Sequence, residues 1–208
     1  NLEIHPIQSY DVITGGADRS KLPETTEFPK AKFIDFKQTT LPNGLKLTVA
    51  HQPSVPVVNF NLLLDAGFAA DQFSEPGTSS LAMAMLDEGT TKLSALEISD
   101  TAANIGAIIS ASAGIDSSTV SLSALKENID NSLKLYADII LNPSFPNNEL
   151  ERLRKQRLAQ IQQEKNQPFG IALRILPRLL YGEDHAYSLP LTGSGTEASV
   201  RNITQDSL

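Results

Sequence analysis

The chain predicts an α+β fold, a layered sandwich in which an antiparallel-rich sheet packs with helices. Three observations carry this. Segments of period-two apolar patterning open the folded part around a tight-turn signal. Two more strands, 107–113 and 119–125, flank a short turn and read as a hairpin with small side chains. Long stretches of helical period then close the chain, and the order β-β-β-α-α-β-β-α-α-α suits helices segregated against an antiparallel sheet.

Residues 1–32 read as a linker or leader, because Tyr10-Asp-Val-Ile-Thr-Gly-Gly-Ala-Asp-Arg-Ser-Lys-Leu-Pro is rich in turn formers and holds no sustained period. The domain is expected over 33–208. Phe36 to Leu41 and Leu45 to Ala50 form a hairpin about Asn43-Gly44, both of which tolerate positive φ. Val55 to Ala66 is a third strand, ending at Gly67, with Asn59 and Asn61 marking its polar side. A helix over Thr78 to Leu86 carries Leu81, Ala84, Met85 and Leu86 as its apolar stripe, and Met83 and Met85 are expected to fill core space. Ser94-Ala-Leu-Glu97 is a capping box that opens a second helix ending near Gly106. After the hairpin around Gly114-Ile-Asp-Ser, Glu127 to Asn142 is amphipathic, with Ile129, Leu133, Tyr136, Ala137, Ile140 and Leu141 on one face and Pro143 as its stop. Asn147 to Lys165 turns Leu150, Leu153, Leu158 and Ile161 inward and leaves Glu151, Arg154 and Lys155 on a solvated face. Phe169 to Tyr181 is expected to bend or break at Pro177. Thr204 caps a helix that begins near the last residue, which suggests a natural chain that continues.

Net charge of −7 over 208 residues, without acidic or basic runs, argues against nucleic acid or an anionic membrane surface as partner. No apolar run reaches the ~20 residues of a membrane span, and the start Asn-Leu-Glu-Ile-His-Pro lacks the n- and h-regions of a signal peptide. With 40% apolar and 20% charged residues the composition is that of a globular protein. The chain has no Cys and three His, His5, His51 and His185, none near another in sequence, so no metal-binding spacing of His or Cys is available. Thr192-Gly-Ser-Gly-Thr196 has the look of a phosphate-cradling loop but lacks its Lys and a preceding strand.

The most informative stretch is Glu75-Pro-Gly-Thr-Ser-Ser-Leu-Ala-Met-Ala-Met-Leu-Asp-Glu-Gly-Thr90. It resembles the active-site helix of the insulinase/pitrilysin (inverzincin) zinc peptidases, whose pattern runs Gly-x-x-His-x-x-Glu-His-Met-x-x-x-Gly-Thr. Gly77, Met85, Gly89 and Thr90 match. The two His ligands and the general base between them are replaced by Ser80, Ala84 and Met83. The third ligand belongs to a pattern like Glu-x-Glu-Val-Val-x-x-Glu-Ile, whose counterpart is Leu153-Arg-Lys-Gln-Arg-Leu-Ala-Gln160-Ile161, with Gln160 at the ligand place. A neutral hydroxyl, a thioether, a methyl group and an amide stand where zinc chemistry needs imidazoles and carboxylates. Further points of resemblance are Leu41-Pro-Asn-Gly-Leu, Ala66-Gly67, Gly106-Ala, Ala137 to Pro143, Tyr181-Gly-Glu-Asp-His-Ala-Tyr187 and Ile203-Thr.

The resemblance covers 33–208 and implies the first repeat of a half, most similar to the non-catalytic second half of bacterial two-half zinc proteases. It implies no catalytic residue, no metal ligand and no cofactor here, and it names no substrate-binding residue. The partner it implies is a catalytic half, in the same chain or another, with a peptide substrate in a shared chamber; self-association stays open. A periplasmic or cell-envelope setting follows if the parent is an exported bacterial protease. Two other readings stand beside it. One is a stand-alone scaffold or binding subunit without proteolysis, and the other a peptidase with a rearranged site.

Overall fold

In the computed structural model, Ser20, Leu22, Phe28, Lys30 and residues 34–208 are described. Most of the predicted linker, together with His5, lies outside them. The chain divides into two units, Asn1–Gln52 and Pro53–Leu208.

In the first unit, β1 (Phe36–Thr40) and β2 (Lys46–Ala50) pair antiparallel, with Phe36 opposite Ala50 and Thr40 opposite Lys46. The turn differs in detail from the expectation. Gly44 alone takes a positive φ, +87°. Its N–H donates to the Leu41 carbonyl at 2.9 Å, across Pro42, whose ring fixes φ near the value such a turn wants. Asn43 contributes through its side chain instead, its Oδ1 accepting the Leu45 N–H at 3.2 Å.

The second unit is built on β3 (Val57–Leu64), β4 (Ile108–Ala113) and β5 (Ser118–Leu125), ordered β3-β5-β4 and antiparallel throughout. The central strand shows the period of two most cleanly: Val120, Leu122 and Ala124 are buried, and the residues between them are half-exposed. On the other face Asn61 and Ser121 are cross-strand partners, and the Ser121 hydroxyl donates to Asn61 at 2.9 Å.

Two helices cover the apolar face, α2 (Ala95–Ile105) and α3 (Ile129–Leu141). Ile98 from α2 and Leu135, Tyr136 and Ile139 from α3 form one core with β5. The buried Tyr136 hydroxyl finds its partner in the Val120 carbonyl at 2.6 Å. The capping box of α2 is as expected: the Ser94 N–H donates to Glu97 at 2.8 Å and the Glu97 N–H to the Ser94 hydroxyl, while Gly106 closes the helix at φ +64°.

A second, smaller core joins α1 (Thr78–Met85) to α4 (Asn147–Asn166) through Leu81, Met85, Leu150 and Ile203. Phe145 packs against both cores and is the one described non-glycine residue with positive φ, +43°, so contacts on two sides hold it in that backbone state.

The long helix α4 is followed directly by α5 (Pro168–Tyr181). The two approach closely at Gly170, where a Cβ would meet the Glu164 carbonyl at 2.4 Å. Helix α5 is not broken at Pro177; it runs through it. Pro177 has no N–H for the carbonyl of Leu173, one turn back, and that carbonyl accepts the Leu191 N–H at 3.1 Å instead. A short helix α6 (Glu197–Asn202), capped by Thr196, was not foreseen in the sequence. The element that Thr204 opens is a 3-10 turn over Gln205–Ser207.

Candidate functional site

Helix α1 is positioned by backbone chemistry at both ends. Its first residue follows Gly77, at φ +101°, which has no side chain to cap the helix. A carboxylate from outside supplies the cap. Asp71, only 2% exposed, accepts the Gly77 N–H at 2.8 Å through one oxygen, and the Ser79 N–H and hydroxyl at 3.1 and 2.5 Å through the other.

The loop 192–195 lies against this end of α1. A Cβ on Gly195 would stand 2.0 Å from the Pro76 carbonyl oxygen, and one on Gly193 would stand 2.7 Å from Ser80 Oγ and 2.8 Å from the Phe68 ring. The Ser199 hydroxyl donates to the Pro76 carbonyl at 2.6 Å. The glycines of Thr192-Gly-Ser-Gly-Thr196 therefore permit close backbone approach to α1.

Beyond α1, Gly89 at φ +155° leaves room for Ser144 and Pro146, and its carbonyl accepts the Ser144 N–H at 3.0 Å. The Thr90 hydroxyl accepts from Lys92 and Leu93 N–H groups at 3.1 and 3.0 Å. Met85 is fully buried. The frame positions Gly77, Met85, Gly89 and Thr90 all have structural work of their own, independent of any metal.

The four chemistry positions are placed differently. Ser80, Met83 and Ala84 are half-buried on α1, and Gln160 is exposed on α4. Met83 packs against the sheet core, whereas Ala84 belongs to neither apolar cluster. Gln160 donates through Nε2 to Glu164 at 2.9 Å. This donor set does not fit zinc: a lone hydroxyl and an amide already engaged provide no basic ligands. Among the described residues no three His, Cys, Asp or Glu side chains come together in a metal-binding group. His51 is exposed after β2. His185 is exposed as well, stacked on Tyr181 at 5.1 Å, with Nδ1 accepting the Tyr187 N–H at 3.0 Å.

What the sequence did not foretell is a polar network one turn beyond Gln160. Glu164 and Arg174, with side chains 12% and 10% exposed, form an ion pair at 2.6 Å between α4 and α5. Arg174 also donates to the Ser194 hydroxyl and the Gly195 carbonyl, each at 2.7 Å, and Ser194 donates to Glu164 at 2.8 Å. Burial alone would raise the Glu164 pKa; hydrogen bonds from Ser194, Arg174 and Gln160 outweigh it and hold the carboxyl below its usual range. The network fastens the glycine loop to α4 and α5. Arg154 likewise departs from the expected solvated face. Its side chain is 12% exposed, and its guanidinium donates to the carbonyls of Val200 and Ile203, the latter at 2.6 Å, closing the end of α6.

Comparison with known proteins matches the model of the insulinase family (peptidase family M16) to residues 46–190. The chain is 25% identical over 173 residues to the uncharacterized zinc protease YmxG of Bacillus subtilis, covering 83% of this chain and 42% of that protein. It is 25% identical over 174 residues to the probable mitochondrial-processing peptidase subunit beta of Arabidopsis thaliana, covering 84% and 32%. A crystal structure described as the peptidase M16 inactive domain from Pseudomonas fluorescens superposes with a TM-score of 0.79 at 27% identity, over 84% of this chain and 42% of that one. A protease from Helicobacter pylori shares the fold, with a TM-score of 0.76 at 19% identity, over 85% and 42%. The chain thus spans less than half the length of these relatives. The match extends over more than half of the chain and falls on the helix and glycine frame described above: the chain belongs to the insulinase (peptidase M16) family.

Proposed function

We propose that this chain is a non-catalytic M16 domain that supports or closes the peptide chamber of a zinc metalloprotease, beside a catalytic half in the same or a partner chain. The observation that carries the reading is the division of labour on α1. Residues that shape its backbone surroundings are kept, and the two His, the base and the third ligand are replaced by Ser80, Ala84, Met83 and Gln160. The fold neighbour described as an inactive M16 domain supports it, as do relatives named as alpha and beta subunits of a processing peptidase. Within this reading residues 1–32 are the connection to the catalytic half and 33–208 an incomplete first repeat. No described helix is long and apolar enough to cross a membrane.

The test is peptide hydrolysis by a catalytic M16 chain from the same source, measured with and without this chain. A chamber role expects a rate that rises with added chain and a complex on size-exclusion chromatography. A complex with an unchanged rate would favour the alternative, a scaffold or protein-binding subunit without proteolysis. Hydrolysis by this chain alone would overturn both.

A further inference from the structure

The inward face of α4 carries one residue that does not suit an apolar contact. Leu153 packs on the Leu81–Met85 side of α1, and Leu150 and Ile161 are buried. At about 100° per residue Arg157 falls among them, four residues after Leu153 and four before Ile161. It is half-buried, whereas Glu151 and Lys155 are exposed. The pattern that α4 resembles has Val at this place.

Among the described residues the Arg157 guanidinium has no hydrogen-bond partner, and the charge that acts on it is that of Glu164. That carboxylate is already engaged by Arg174, Ser194, Thr192 and Gln160. Two guanidinium groups against one carboxylate leave one positive charge uncompensated. Burial also pushes the Arg157 pKa below the usual arginine range, against the pull of Glu164. On α1, the Ser80 hydroxyl also has no hydrogen-bond partner among the described residues. Ser80 abuts Gly193, whose neighbours Thr192 and Ser194 both donate to Glu164, so the serine and the α4 charges border the same loop.

We propose that the position of the lost metal has become a carboxylate-binding site, with the Arg157 guanidinium as its cation and the Ser80 hydroxyl as a second donor. This rests on the reading that the zinc motif is lost. The family's base and third ligand are both Glu; Met83 and Gln160 in their places remove two negative charges that would repel an anion. Guanidinium and carboxylate match in shape and can pair through two parallel hydrogen bonds. The ligand class is the carboxylate of a peptide, at its C-terminus or on an acidic side chain.

The experiment is a titration of the 208-residue chain, followed by NMR chemical shifts, with N-acetylglycine, N-acetylglutamic acid α-amide and N-acetylglycinamide. Both acids are expected to bind saturably at millimolar concentration and the neutral amide not at all; the tighter acid identifies the source. Arg157→Met is expected to weaken binding about tenfold or more, Arg157→Lys to retain part of it, Ser80→Ala to weaken it a few-fold, and Lys155→Met to leave it unchanged. Equal binding by Arg157→Met, equal binding of the amide, or no binding of either acid by the native chain would overturn the site. A parallel zinc titration separates the two readings. Tight zinc binding would overturn the non-catalytic assignment, while absence of both zinc and carboxylate binding would overturn only the anion site.

Discussion

Gly195→Ala tests the seating of α1 most directly. Gly195 sits at φ +73°, and an added Cβ would lie 2.0 Å from the Pro76 carbonyl oxygen, 2.7 Å from its carbon and 3.0 Å from Gly77 Cα. The left-handed backbone costs an alanine roughly 1–2 kcal/mol. The steric part is separate. Carbon and oxygen ordinarily approach no closer than about 3.3 Å, so the loop and the Pro76 backbone must part by about 1 Å. That separation strains the Ser199 bond to the Pro76 carbonyl and the Arg174 bond to the Gly195 carbonyl, each worth about 1 kcal/mol net. The expected loss is about 3 kcal/mol or more. Gly106→Ala is the control, because Gly106 has φ +64° and ψ +34° and an added methyl group would meet only the Leu125 side chain, at 3.5 Å, an ordinary contact distance. It carries the conformational cost alone, about 1 kcal/mol. Urea denaturation followed by far-ultraviolet circular dichroism gives both values, provided the slopes agree. Equal losses would mean that the 192–195 loop moves freely away from α1, and the account of its glycines would fail.

Three further outcomes are expected. Arg174→Met leaves the Glu164 carboxylate buried without its cation and should cost about 3 kcal/mol at neutral pH. Because the folded pKa of Glu164 lies below its unfolded value, its stabilisation is complete above the ordinary carboxylate range and fades as pH falls through the lowered value. The penalty of Arg174→Met should therefore shrink toward acid pH, and a penalty independent of pH would contradict the network. Arg154→Met removes the donors at the end of α6 and should destabilise by about 2 kcal/mol, while Lys155→Met stays within about 0.5 kcal/mol in the same denaturation assay. Ser80→His, Met83→Glu, Ala84→His and Gln160→Glu together should bring zinc binding, read by elemental analysis after dialysis, without strong peptide hydrolysis. Adding Arg157→Val should tighten that zinc, since it removes a nearby positive charge, and zinc affinity unchanged by it would place Arg157 away from the site.

The elements legible in the sequence are those whose cause is local. Ser94 and Glu97 meet three residues apart, Gly106 stops α2 by its own backbone, and the alternation of β5 is a property of neighbouring residues. That Ser80, Met83 and Ala84 stand where the family's pattern has His, Glu and His is readable for the same reason, since a pattern on one helix fixes which side chains share a face. What escaped depends on residues far apart in the chain. Arg154 reads as one more charge on a charged helix until α6, more than forty residues later, presents its carbonyls. Glu164 and Arg174 lie ten residues apart on two helices, and nothing in the sequence pairs them before α5 packs on α4 and the glycine loop bonds to both. Asp71 gives no sign in the sequence that it caps a helix starting at Thr78, because the usual capping position is held by Gly77. Asn43 shows the converse: its dipeptide with Gly44 correctly marks the turn, but Pro42 settles the type, and only the glycine needs the left-handed region.

Pro177 changes the way α5 is tied to the segment after it. A helix normally spends all its interior carbonyls on itself and offers its neighbours side chains only. The proline leaves the carbonyl of Leu173 unspent in mid-helix, and the backbone of Leu191 takes it. The chain between them, with its Tyr181-His185-Tyr187 cluster, is thus a closed strap pinned main chain to main chain. Its attachment does not depend on which side chains stand at 173 and 191. An alanine at 177 would restore a competing donor inside the helix and set the strap against the helix for a single oxygen, so the proline acts here as a fastener.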